Sequence, residues 1–349
     1  MHTIKLISPT PLELADSIML EGDVQLALSR LPSESVQCVV TSPPYWGLRD
    51  YGIAGQIGLE PTLAGFIQAL TNVFAEVKRV LRSDGILWLN IGDGYTSGNR
   101  GWRAPDKKNP NRAMNVRPDN PPGLKDKDLL GIPWRLALAL QDNGWFLRSD
   151  IVWHKPNVMP ESVKDRPTRA HEYLFMLTKT ESYHYDQEAV KEPAENGHTR
   201  NRRTVWNINT CNSGNSHIAS FPQALVEPCV LASTRPGDFV LDPFFGSGTV
   251  GIVAQRLGRR YVGIELNPAY VAEAISALQQ THSVKGRNGS QRSATDYELT
   301  PALLESSGDH GHGVGGVSPA LLPAGAVADD QRARTHYGKR RTRRVRAGG

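Results

Sequence analysis

The stretch Gly237-Asp238-Phe239-Val240-Leu241-Asp242-Pro243-Phe244-Phe245-Gly246-Ser247-Gly248-Thr249 constrains this chain more than any other. An apolar run stops at an acid and a proline, and a glycine-rich turn then leads into helical spacing, which predicts strand, tight turn and helix. Glycines in such a turn let the backbone pass close to a ligand, and the free N–H groups at the helix start favour a phosphate or a carboxylate. Thr249 and Val250 stand where a triphosphate-binding loop needs Lys and Ser or Thr, which disfavours triphosphate hydrolysis. The next predicted strand, Tyr261 to Glu265, ends in an acid roughly 20 residues past the turn, where a carboxylate can accept both hydroxyls of a ribose. Turn and acid together specify an adenosine-containing ligand.

A second strand end carries different chemistry. Val36-Gln37-Cys38-Val39-Val40 is largely apolar and stops at Thr41-Ser42-Pro43-Pro44, because neither proline can donate to a sheet ladder and each restricts the residue before it. The locked backbone fixes the Ser42 and Pro43 carbonyls and the Ser42 hydroxyl, while Tyr45 and Trp46 offer aromatic faces. Two fixed acceptors suit an exocyclic amine: held by its hydrogens, the nitrogen favours the pyramidal, nucleophilic form, with a tyrosine stacked on the base.

The remaining elements alternate. Strands are predicted at Ile18 to Leu20, Ile86 to Ile91, Phe146 to Trp153 and Glu172 to Leu177, and helices through Leu26 to Leu31, Leu63 to Leu81, Gly131 to Asp142, Phe221 to Ser233 and Pro268 to Leu278. This order implies an α/β sheet covered on both faces, with ligands at the carboxyl ends of its strands. A polar excursion rich in Gly, Pro, Asn, Arg and Lys covers 92–130, and an Asn- and Arg-rich stretch covers 180–216. Residues 283–349 have too few large apolar side chains to offset ordering entropy and are expected to be disordered.

The chain carries a net charge of +5, part of it in the run Lys339 to Arg346, which fits a polyanionic partner only weakly. Its three cysteines, Cys38, Cys211 and Cys229, have no metal-type spacing and read as a reduced, cytoplasmic complement. No apolar run approaches the roughly 20 residues that span a bilayer, and no leader pattern opens the chain. Cys229 follows Pro228 but falls on an apolar helix face, where a small buried side chain is its role rather than a nucleophile. His154 and His171 read as structural, and no metal is expected.

On the tetrapeptide Ser42-Pro43-Pro44-Tyr45 and the turn Asp242 to Thr249, the chain resembles the DNA amino-methyltransferases that modify N4 of cytosine or N6 of adenine. The likeness is to their circularly permuted beta group, in which the catalytic tetrapeptide precedes the cofactor turn. It covers roughly residues 17 to 280 and includes Trp153-His154-Lys155-Pro156, the Arg166 to Leu177 stretch and His217 to Glu227. The resemblance implies a Rossmann-like S-adenosylmethionine-dependent fold, with a mixed seven-stranded sheet whose strands at Val240 and Val262 lie between pieces of the N-terminal half. By domain it implies an N-terminal extension 1–16, a catalytic domain 17–282 whose target-recognition region is 180–216 with help from 92–130, and the tail 283–349.

The residue roles it implies are Ser42, Pro43, Pro44 and Tyr45 in catalysis. For S-adenosylmethionine they are Asp23, Phe221, Asp242, Pro243, Phe244, Gly246, Ser247, Gly248, Thr249 and Glu265, with Glu265 on the ribose and Asp23 near the adenine amine. For double-stranded DNA they are Lys155, Arg166, Arg169, Arg202 and Arg203. Serine at the head of the tetrapeptide is similar to the cytosine-N4 enzymes, whereas most adenine-N6 enzymes carry Asp there, so cytosine N4 is expected and adenine N6 is the alternative. Methylation of a protein or RNA amine and a catalytically dead DNA-binding protein are the remaining readings. A cognate restriction endonuclease is a candidate partner, in a bacterial or phage setting.

Overall fold

The computed structural model describes residues 2–5, 12–96, 118–195, 197–211 and 221–287. Much of the excursion 92–130, the end of the stretch 180–216 and the basic run Lys339 to Arg346 lie outside them.

In chain order the strands are β1 (His2–Lys5), β2 (Ile18–Glu21), β3 (Val36–Thr41), β4 (Leu81–Ile91), β5 (Phe146–His154), β6 (His171–Thr178), β7 (Glu192–Pro193), β8 (Thr199–Arg200), β9 (Val205–Asn207), β10 (Phe239–Asp242) and β11 (Arg260–Glu265). The helices are α1 (Val24–Arg30), α2 (Leu63–Val80), α3 (Ile132–Asp142), α4 (Gln223–Ser233), α5 (Thr249–Arg256) and α6 (Pro268–Arg287). Nine strands form one sheet in the order β1-β2-β11-β10-β3-β4-β6-β5-β9, and β6 alone runs against its neighbours. The expected seven strands are its centre, widened by β1 and β9. Edge strands of four and three residues such as these carry too little pattern to be read from sequence.

The permuted order is visible in the pairing. β10 and β11, late in the chain, sit between β2 and β3, with Val262 opposite Ile18 and Val240 opposite Cys38. Alternation along β4 sorts its side chains: Leu87, Leu89 and Ile91 face α1 to α3, whereas Ile86 and Trp88 face the core shared with α4 to α6. Thr62 caps α2 through Gly65 N–H at 3.0 Å, and its apolar stripe Phe66, Leu70, Val73, Phe74 and Val77 is fully buried, which seats the helix across the sheet.

Two boundaries differ from expectation. β4 starts at Leu81, directly after α2, because Leu81 already pairs with Val36 of β3, and a bulge then sets Ile86 opposite Cys38, with Gly85 packed close against Gln37 O and Leu81. α6 runs to Arg287, past the expected end near Leu278 and into the first residues of the stretch 283–349 expected to be disordered, the rest of which lies outside the described residues. Among the described residues no helix is long and apolar enough to cross a membrane.

Candidate active site

Both chemistry-bearing strand ends meet. Pro43 and Gly246 line one cleft of about 1260 Å³, counted with its open mouth, at the carboxyl ends of β2, β3, β10 and β11. Their juxtaposition follows from the permuted pairing, which makes β3 and β10 direct neighbours.

β10 ends in Asp242, only 2% exposed. Its Oδ1 accepts the Thr41 hydroxyl at 2.7 Å and Phe244 N–H at 3.0 Å, so the carboxylate ties the two loops together. Burial outweighs those bonds and pushes the carboxyl up to about 7. Gly248 then takes a left-handed conformation, φ 84°, to start α5. Phe245 turns inward and lies against Gly263 of β11, where an added Cβ would sit 2.5 Å from the ring.

Glu265 at the end of β11 accepts Gly246 N–H through Oε2 and Asn267 N–H through Oε1, both at 2.8 Å. Burial raises its carboxyl. The carboxylate lines the cleft and keeps acceptor capacity beyond these backbone bonds, so the group fits a ribose diol. Asp23 caps α1 through Leu26 N–H at 2.9 Å and stands at the same cleft, as do Phe221, Pro243, Phe244, Ser247 and Thr249. Gly248 does not line it; its part is the bend beneath. This donor set fits S-adenosylmethionine.

On the other side, Ser42, Pro43, Pro44 and Tyr45 all line the cleft. The Tyr45 phenol donates to Glu172 Oε2 at 2.8 Å, and Ser42 and the Gly92 backbone lie beside its oxygen. Burial, then Glu172, hold the phenol well above its ordinary value. Trp46 corrects the expectation of a second aromatic face: it is buried, with its indole N–H on Glu60 O at 2.9 Å. Gly47 N–H closes onto Gly58 O at 2.8 Å, and the loop between them brings Arg49, Tyr51, Ile53 and Gln56 to the cleft. Neither this wall nor Gly263 was anticipated, although a glycine inside the strand pattern Tyr-Val-Gly-Ile was a readable sign of close approach.

The five expected DNA contacts all have protein partners. Lys155 bonds Glu172 and lies over Trp153, 4.2 Å from the ring centroid. Arg166 bonds Glu161 at 2.6 Å and stacks on Tyr95 at 4.0 Å, and Arg169 faces Asp93 at 3.9 Å. Arg202 stacks on Trp206 at 4.5 Å. Arg203 bonds Glu192 at 2.7 Å and is 66% exposed, the most open of the five. Cys229 is buried and donates to Leu225 O; burial raises its thiol, which suits packing and not nucleophilic attack.

What this fold and cleft define is a methyltransferase that uses S-adenosylmethionine. The family described as DNA methylase, the N6/N4 methyltransferases, matches residues 36–276, and the chain belongs to it. Type II methyltransferase M.Cfr9I of Citrobacter freundii is 67% identical over 275 residues, covering 79% of this chain and 92% of that one. Type II methyltransferase M.SmaI of Serratia marcescens is 58% identical over 258 residues, covering 73% and 88%. A putative DNA modification methylase of Thermus thermophilus, solved with S-adenosyl-L-methionine, superposes with a TM-score of 0.54 at 28% identity over 75% of this chain and 93% of that one. The cytosine-N4-specific PvuII DNA methyltransferase shares the fold, with a TM-score of 0.57 at 22% identity over 80% and 93%. The chain is an S-adenosylmethionine-dependent DNA methyltransferase acting on an exocyclic amino group.

Proposed function

We propose that the chain methylates N4 of cytosine in double-stranded DNA, and that the base reaches the Ser42 to Tyr45 turn by flipping out of the duplex. The observation that carries the choice of base is Ser42, at the head of a Ser-Pro-Pro-Tyr turn that shares its cleft with the cofactor turn. A hydroxyl and rigid backbone carbonyls offer uncharged acceptors to the amine, whereas adenine-N6 enzymes mostly place a carboxylate there.

S-adenosylmethionine, when bound, supplies an electrophilic methyl group on a sulfonium. The protein's part is positional. Glu265 holds the ribose, Asp23 the adenine amine, and Asp242 with the backbone from Phe244 to Thr249 the methionine end, with Phe221 alongside. Ser42 and the Pro43 backbone grip the amine hydrogens and fix the nitrogen in line for attack, while Tyr45 supports the base ring. No cysteine lines the cleft, so none is placed for a covalent enzyme intermediate: Cys38 and Cys229 are buried, and the exposed Cys211 lies outside the lining.

The stretch 180–216 reads the target sequence, and Arg203 contributes to phosphate contact there. As the relatives are type II enzymes, a restriction endonuclease with the same target is the expected partner, and the cytoplasm, where bacterial DNA lies, the expected site of action.

The test is to methylate duplex DNA with labelled S-adenosylmethionine, digest it to nucleosides and separate them. N4-methyldeoxycytidine is the expected product, and N6-methyldeoxyadenosine alone would overturn the choice of base. The double substitution Ser42→Ala with Tyr45→Ala is expected to abolish transfer; undiminished transfer defeats the assignment of the turn.

A further inference from the structure

The Tyr45 phenol sits at the centre of a hydrogen-bond chain that four strand ends assemble. Glu172, near the start of β6, accepts the phenol proton on Oε2 and the Lys155 ammonium on Oε1. Lys155 follows β5, in which Trp153 pairs with Glu172. Both charged side chains are largely buried, 14% and 17% exposed. Gly92, just past β4, leaves room for the group: a Cβ there would lie 2.8 Å from the Tyr45 ring and 3.2 Å from the Glu172 stem.

Donor and acceptor rules give this chain a direction. An ammonium only donates and an ionised carboxylate only accepts, so Glu172 takes a hydrogen from each partner. The phenol proton is thereby committed to Glu172, and the phenol oxygen keeps only lone pairs toward Ser42 and the Gly92 backbone beside it. A Ser42 hydroxyl that bonds this oxygen must donate to it, which leaves Ser42 Oγ with lone pairs alone for the cleft it lines. A serine hydroxyl would otherwise be free to donate or accept, and a donating hydroxyl opposes an amine whose hydrogens must be gripped.

We propose that Glu172 is a positioning residue for methyl transfer: held by Lys155, it polarises the Glu172–Tyr45–Ser42 chain so that Ser42 meets the substrate amine as an acceptor. The inference rests on the reading of Ser42 as the amine-gripping group. Neither Glu172 nor Lys155 touches the reacting atoms, and their effect passes through Tyr45.

The near-isosteric Glu172→Gln tests this, because the introduced amide has one donor and one acceptor. Beside the Lys155 ammonium its oxygen turns to the lysine and its NH2 to the phenol, which reverses the chain. Kcat on duplex DNA is expected to fall about tenfold or more, while KM for DNA and the calorimetric Kd for S-adenosylmethionine stay within about twofold. Adding Lys155→Met removes the ammonium, lets the amide oxygen turn back to Tyr45, and is expected to restore most of kcat. An unchanged kcat in Glu172→Gln overturns the proposal. So does a loss that Lys155→Met fails to relieve, or a loss of cofactor binding in step with kcat, which would make Glu172 a scaffold residue. Product analysis of the wild-type enzyme is a separate readout: adenine methylation there would overturn the choice of base without touching the kcat split.

Discussion

The Thr41 hydroxyl donates to Asp242 Oδ1 at 2.7 Å across 201 residues of chain, joining the strand that leads into the catalytic turn to the strand that leads into the cofactor turn. Thr41→Val keeps the shape and removes the donor, leaving one buried acceptor short of a partner. The expected cost is about 1–3 kcal/mol of stability, read as a lower urea midpoint with unchanged slope. A midpoint equal to wild type would mean that the two loops are held by the sheet alone.

Asp242 gives stability a pH dependence of defined sign. Its carboxyl titrates near 7 in the folded chain against an ordinary value of 3.8, so the folded state holds the proton longer than the unfolded state. Its contribution is fully present at acid pH and is lost as pH rises from about 4 to about 7. Asp242→Asn keeps an acceptor for Thr41 and Phe244 but cannot ionise. The stability of the variant relative to wild type should therefore climb through that window, by up to the order of 4 kcal/mol, and level off above it. Thermal melts of both proteins from pH 4 to 9 check this, and parallel curves would refute it.

Gly263 is a site where one methyl group is too many. A Cβ at 2.5 Å from the Phe245 ring forces the ring out of its seat, and Gly263→Ala should destabilise by about 1–3 kcal/mol. Because Phe245 anchors the cofactor turn, affinity for S-adenosylmethionine should fall with it. Phe245→Leu in the Gly263→Ala background should recover part of the loss, measurable by calorimetry on the single and double variants.

Glu265 accepts two backbone N–H groups, one on each oxygen. Glu265→Gln places an NH2 against one of them, at a cost of about 1–3 kcal/mol, and offers a ribose a weaker acceptor. Cofactor Kd is expected to rise by tenfold or more, on the order of 1.4 kcal/mol or above, with little change in kcat at saturating cofactor. Equal Kd values would remove Glu265 from the cofactor site.

The strand, turn and helix order was legible because apolar periodicity and glycine or proline punctuation are local properties. The permuted topology came with the family resemblance that the two motifs carry. Features created by pairing across the sheet were not legible: Glu172 is a polar residue opening an apolar strand, and nothing near it in sequence names Tyr45 as its partner. Trp46 misled because an aromatic beside a reactive turn reads alike whether it faces ligand or core. The partners of Arg166 and Arg169 were hidden in the same way, since a basic side chain in a polar segment does not announce that Glu161 and Asp93 stand beside it.

Placing β10 and β11 between β2 and β3 also dictates when an enzyme exists. A nascent chain emerging from the ribosome carries the catalytic turn early, yet the centre of its sheet is a gap until Glu265 has been synthesised. Closing that gap joins segments separated by most of the polypeptide, which makes the last step of folding slow and dependent on the late strands. Prematurely terminated products should accordingly be unable to mark DNA as partial copies of the enzyme.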